Sequence, residues 1–115
     1  MSDADGRLRI GSSSPVESVA GFCRALRVGN QVYVAGTASY RDGKVFAPND
    51  AVAQIRHILT IIETALGQAG SSLSDVVRYR AYVNDIADAP AVAEELGRAF
   101  ASIRPVATLI AVSAR

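Results

Sequence analysis

At 115 residues, half of them hydrophobic and 20% charged, the chain is one globular domain with room for a single core, which excludes a disordered tract. Its 12 Lys and Arg stand against 11 Asp and Glu, a formal net charge of +1 with the cations scattered. That balance indicates neither a nucleic-acid partner nor an anionic membrane surface, and no apolar run approaches the roughly 20 residues of a membrane span.

Residues 1–18 are rich in Ser, Gly and Asp, without usable periodicity or the apolar core of a secretion signal, and read as a flexible lead-in to a domain over 19–115. Residues 22–28 alternate loosely and run into Gly29 and Asn30, an order that suits a type II′ turn; a strand over 31–36 returns from it. Arg41, Asp42, Gly43 and Lys44 mark a second turn, followed by a short extended segment at 45–46 and by Pro48.

The pattern then becomes helical. Val52, Ile55, Leu59, Ile62, Leu66 and Ala69 recur at steps of three and four, which keeps them on one face of a long helix. Ile58, Ile61 and Ala65 widen that face, while Gln54, Arg56, Glu63 and Gln68 stay outside it. Asn49 or Asp50 can cap the start, and Gly70 can end the helix in the left-handed conformation. Ser71, Ser72, Ser74 and Asp75 form a capped turn into a strand over 76–83, half of a β-α-β unit. A loop at 84–88 leads to a second helix from 89 to about 102, with Val92, Leu96, Phe100 and Ile103 stacked at helical spacing. Arg104 and Pro105 end it, because the residue before proline avoids the helical region. The last strand, from 106 to about 113, is apolar on both faces: Val106, Ile110 and Val112 on one, Ala107, Leu109 and Ala111 on the other. Such a strand belongs in the middle of a sheet, covered on both sides.

The resulting order, β-β-α-β-α-β, is an α+β arrangement in which two helices cover one face of a mixed sheet. The opposite face, with Tyr33, Ala35, Tyr82 and one side of the last strand, has no element left to cover it. Self-association into a symmetric homo-oligomer is the simplest remedy.

This order, together with Arg27-Val28-Gly29-Asn30-Gln31-Val32-Tyr33-Val34-Ala35-Gly36-Thr37, Ala69-Gly70-Ser71-Ser72-Leu73-Ser74-Asp75-Val76-Val77 and Arg104-Pro105, resembles the Rid family, also called YjgF, from about residue 19 to the end. The resemblance implies a chorismate-mutase-like fold and a homotrimer with its sheets facing inward. It further implies small-metabolite clefts between subunits and, in many members, hydrolysis of reactive enamines and imines derived from amino acids. No cofactor is implied.

In deaminating members an arginine three residues after the position of Arg104 holds the substrate carboxylate; here that position is Ala107, which has no donor. Loss of such a charge-assisted pair removes about 1.5–3 kcal/mol of binding. Phe22 stands at the place of a tyrosine, Ala35 at that of a serine and Ala93 at that of an asparagine. The family's further strand, with an acidic residue near the cleft, would lie beyond Arg115, so the domain is expected to lack it. The candidate cleft residues are therefore Phe22, Arg24, Ala35, Ala93 and Ala107. Arg24 shares a strand face with Phe22 and needs a partner: either a ligand, in place of the usual arginine, or an acidic residue across a subunit boundary.

Other polar residues carry plainer readings. Arg104 is a cation at a helix end, and Arg78, Arg80 and Tyr82 share one strand face that lines an inter-subunit cavity or meets solvent. His57 points away from the apolar stripe; a single histidine without nearby cysteines or spaced carboxylates makes no metal site. Cys23, the only cysteine, is a packed thiol that fits a reducing, cytoplasmic setting. Two functions are therefore in competition, an imine or enamine hydrolase and a non-catalytic trimer that binds a metabolite in the same clefts; RNA cleavage has little support in the charge balance.

Overall fold

The computed structural model describes residues 4–12 and 14–113. The first three residues of the lead-in, Ser13, and the end at Arg115 beyond which a strand was expected to be missing lie outside the described residues. The described chain runs β1 (Arg7–Ile10), α1 (Val16–Ala20), β2 (Ala25–Val28), β3 (Gln31–Val34), β4 (Tyr40–Arg41), β5 (Lys44–Val45), α2 (Ala51–Gln68), β6 (Arg78–Val83), α3 (Ala89–Phe100) and β7 (Val106–Ala111). Single turns of 3₁₀-helix at Leu73–Asp75 and Ile86–Asp88 precede β6 and α3.

The architecture is α+β with two principal helices, and the expected β-β-α-β-α-β order is carried by β2, β3, α2, β6, α3 and β7. The strands form three hydrogen-bonded ladders: antiparallel β1-β2-β3, the β4-β5 hairpin and parallel β6-β7. What was expected as one mixed sheet is thus an antiparallel ladder packed on α2 and a parallel ladder packed on α2 and α3. Each hairpin has the turn its residues require. Gly29 takes φ +63° while Asn30 stays at negative φ, as a type II′ turn demands, whereas Asp42 and Gly43 are both left-handed.

The lead-in is more ordered than its composition indicated. Leu8 and Ile10 alternate with Arg7 and Arg9, and the segment pairs with β2 from Arg7 opposite Val28 to Ile10 opposite Ala25. Two apolar residues among Asp, Gly and Ser are too few to show a period. The ladder with β2 and burial against α2 settle them into a strand.

Helix α2 joins the two halves of the core. Toward its C-terminus Ala65 and Ala69 pack on Ile10 and Ala25, with Leu8, Val32 and Val34 around them. Toward its N-terminus Ile55 and Leu59 pack on the cluster of Ala81, Val83, Val92, Leu96 and Phe100. Asp50 caps the start by accepting from the Ala53 amide at 3.0 Å. At the other end the amides of Gly70 and Ser71 donate to the carbonyls of Gly67 and Leu66, at 3.1 and 2.8 Å, closing a Schellman motif with Gly70 at φ +80°. Arg27 of β2 crosses to the same helix end and donates to the Ala69 carbonyl at 2.7 Å and, through Nε, to that of Gly29 at 2.9 Å. A guanidinium there complements the negative end of the helix dipole and ties hairpin to helix.

The helices are clamped to each other by charge. Arg56 donates twice to the Glu95 carboxylate, at 2.9 and 3.2 Å, and Arg98 donates to it at 2.6 Å. His57 is also engaged: half-buried under the β4-β5 hairpin, its Nε2–H donates to the Tyr40 carbonyl at 2.9 Å and its ring lies 4.5 Å from that of Phe46. Cys23 is half-buried and its thiol donates to the Ala25 carbonyl at 3.3 Å.

The last strand departs most from expectation. β7 is hydrogen-bonded to β6 alone, and Val106, Ile110 and Val112 are exposed, Val106 at 67%. No described strand pairs with its other edge, so the two-sided apolar pattern becomes surface instead of interior.

Two outcomes test this packing. Gly70→Ala places a Cβ 2.8 Å from Arg27 Nη1 and forces alanine into a left-handed conformation, so urea unfolding should show a loss of about 1 kcal/mol or more. The bonds from Arg56, helped by Arg98, hold the Glu95 carboxyl below the usual carboxylate range against the opposing effect of burial. Its stabilising contribution is therefore fully present above the unfolded carboxylate pKa of about 4.3 and is lost as pH falls through the lower folded value. Tm measured from pH 7 down to 3 should drop more steeply in the wild type than in Glu95→Gln.

Candidate functional site

The residues that come together lie at one corner of the β1-β2-β3 ladder. Arg24 precedes β2, yet its amide donates to the Ile10 carbonyl at 2.8 Å and its carbonyl accepts from the Ala35 amide at 2.9 Å, extending both pairings by one step. Its side chain is buried, the whole residue being 8% exposed. Nη1 donates to the Gly36 carbonyl and to Thr37 Oγ1, both at 2.7 Å, and the Thr37 hydroxyl in turn donates to the Ala35 carbonyl at 2.9 Å. Nε faces Glu17 Oε2 at 3.9 Å, and the Phe22 ring lies 5.6 Å from Cζ.

Glu17 sits on α1 and is as buried as Arg24. Its carboxylate accepts from the Ser12 amide at 3.1 Å and from the Ser12 hydroxyl. One buried ion pair thereby links the segment after β1, helix α1, the entrance to β2 and the loop after β3. The expected acidic partner of Arg24 is present, within the same chain. The sequence reading missed Glu17 because it falls in the stretch taken as featureless; a lone carboxylate on a one-turn helix gives no periodic signal.

The consequence for chemistry is specific. Both Nη1 hydrogens are committed to backbone and threonine oxygens and Nε is turned to Glu17, which leaves Nη2 without a described partner. Arg24 can offer a ligand one nitrogen, not the two-nitrogen fork that grips a carboxylate. Phe22, half out of the surface, supplies an apolar wall beside it.

Of the five candidate residues, Phe22, Arg24 and Ala35 meet at this corner. Ala93 is exposed on α3, and Ala107 is exposed on β7 opposite Tyr79, in the other ladder. A shallow cleft of about 270 Å³ adjoins Arg24 on the side of α2, lined in part by Ser12, Thr60 and Thr64. Both threonine hydroxyls donate to carbonyls of their own helix, at 2.6 and 2.9 Å. Among the described residues no group of three or more His, Cys, Asp or Glu could hold a metal ion, and no helix is long and apolar enough to cross a membrane.

Arg78, Arg80 and Tyr82 are exposed on the face of β6 turned away from the helices, opposite Val106, Thr108 and Ile110 of β7. Arg104 closes the turn that follows α3, left-handed at φ +58°, with its amide donating to the Phe100 carbonyl at 2.9 Å.

The fold and sequence have counterparts among known proteins. The endoribonuclease L-PSP family model matches residues 12–114. The uncharacterized protein SCO2049 of Streptomyces coelicolor is 32% identical over 104 residues, 90% of this chain and 78% of that protein. The 3-aminoacrylate deaminase RutC of Acinetobacter baylyi is 35% identical over 88 residues, 76% of this chain and 70% of the enzyme. Among solved structures, Rv2704 of Mycobacterium tuberculosis, a member of the YjgF/YER057c/UK114 family, superposes with a TM-score of 0.84 at 45% identity, covering 95% of this chain and 86% of its own. The Rid-family protein YyfA of Yersinia pestis shares the fold at a TM-score of 0.83 and 21% identity, over 95% of this chain and 88% of its own. With a chorismate-mutase-like α+β fold and a family match over nearly its whole length, the chain belongs to the YjgF/Rid family.

Proposed function

We propose that the protein is a homotrimer in a cytoplasmic setting, assembled through the uncovered strand face, and that small metabolites bind in clefts between its subunits. The corner of Phe22, Arg24 and Ala35 forms one wall of each cleft, and Ala93 and Ala107 belong to the remaining lining. The observation that carries this reading is the apolar surface of Tyr33, Tyr82, Val106 and Ile110, all exposed in the single chain.

The proposed reaction is hydrolysis of an imine or enamine. An enamine first takes a proton on its β-carbon and becomes an iminium. Water then adds to the carbon of the C=N bond, a proton passes from the added water to the nitrogen, and the C–N bond breaks to release ammonia and leave a carbonyl compound. Support comes from the 35% identity to a 3-aminoacrylate deaminase. The substrate is held otherwise than by a bidentate carboxylate clamp, since Ala107 has no donor and Arg24 has one nitrogen to spare. The commitments of that guanidinium also favour a second reading, a non-catalytic trimer that binds a more apolar metabolite in the same clefts. The even charge balance argues against an RNA substrate.

An imine-trapping assay separates the two. Imino acids made in place by an amino-acid oxidase should disappear faster with the protein than in buffer; no acceleration across small, branched and aromatic substrates leaves the binding reading. Arg24→Met should lower stability by about 3 kcal/mol in chemical denaturation, because it strands the Glu17 carboxylate in a buried site. Ile110→Asp should yield single chains in light scattering, by charging an apolar face that assembly buries.

A further inference from the structure

The strand faces turned away from the helices carry an unusual charge pattern. Their described positions are Arg7 and Arg9 of β1, Leu26 and Val28 of β2, Gln31 and Tyr33 of β3, Arg78, Arg80 and Tyr82 of β6, and Val106, Thr108 and Ile110 of β7, as the pairing registers fix. Four are arginines and none is a carboxylate. Arg9 is bonded twice to Asp5, at 2.8 and 3.2 Å. Arg78 and Arg80 make no ion pair or side-chain hydrogen bond with any described residue, and they stand about 6.6 Å apart along one strand.

Left in water, two such guanidiniums need nothing. On a face that self-association covers, beside Tyr82, Val106 and Ile110, they lose hydration and need a counter-charge. A second copy of the same face brings further arginines, and the one described carboxylate beside those strand positions, Asp5, is already bonded to Arg9. The geometry points to a small anion from solution that bears two or more phosphate or carboxylate groups and is bound by Arg78 and Arg80, with the Thr108 hydroxyl opposite Arg80 within the same patch. The planar fork of each guanidinium matches either oxyanion. This site lies on β6 and β7, apart from the Phe22–Arg24–Ala35 corner, and it rests on the proposed assembly through this face.

The test is calorimetric titration of the intact protein at low ionic strength with pyrophosphate and, separately, with citrate, alongside light scattering of the same samples. At least one anion should bind, the stronger of the two identifying phosphate or carboxylate as the preferred group. Affinity should fall about tenfold or more in Arg78→Gln/Arg80→Gln, as loss of charge-assisted bonds requires. Absence of binding by the wild type to both anions, or equal binding by the double variant, overturns the proposal. Should the double variant fail to fold, Arg80→Gln alone reads the same contact, and an unchanged affinity again overturns it. A single-chain mass with arginine-dependent binding intact overturns the assembly and keeps the anion site; a trimer whose binding ignores both arginines does the reverse.

Discussion

The rest of the structure depends on the seating of α2, through Ala65 and Ala69, against Ile10 and Ala25 of the antiparallel ladder. Small residues at that contact bring helix and strands close enough for Arg27 to reach the Ala69 carbonyl. The same helix then carries Ile55 and Leu59 to the second cluster, where α3 covers β6 and β7. Both helices are spent on one side of the strands, and nothing in the described chain covers the other. The apolar outer face follows from that arrangement, and so does the pressure to hide it from water.

The corner around Arg24 shows how stability and chemistry compete for one side chain. Burial would make an unpaired guanidinium very costly. The fold answers with the Gly36 carbonyl, the Thr37 hydroxyl and the Glu17 carboxylate. These contacts draw four separate segments of chain to one point, and they consume the donors that a carboxylate clamp would use. Were a cleft of the proposed kind built on this corner, it would select by shape and by the Phe22 wall more than by a two-point ionic grip.

Local chemistry made much of this legible in the sequence. The cap at Asp50, the stop at Gly70, the turn at Gly29 and the stacking of Val92, Leu96 and Phe100 are each decided within a few residues, and each is where the pattern placed it. What was not legible is set by partners far along the chain. Residues 7–10 become a strand only because β2 pairs with them, Arg56 finds Glu95 across two helices, and His57 is held by a carbonyl of the β4-β5 hairpin. The pattern of β7 marked a strand, but it placed that strand inside a sheet, and no local feature shows that in the described chain it pairs with β6 alone and leaves Val106, Ile110 and Val112 exposed. At the site, alternation brought Phe22 and Arg24 together, whereas Glu17 lay in a segment without periodicity.

The central claim is that the outer strand face is buried between copies in solution. Sedimentation equilibrium of the wild-type chain over a falling series of concentrations tests it most directly. The account predicts three times the chain mass, persisting on dilution. The mass of a single chain at every concentration would contradict it and would mean that Tyr82, Val106 and Ile110 face water.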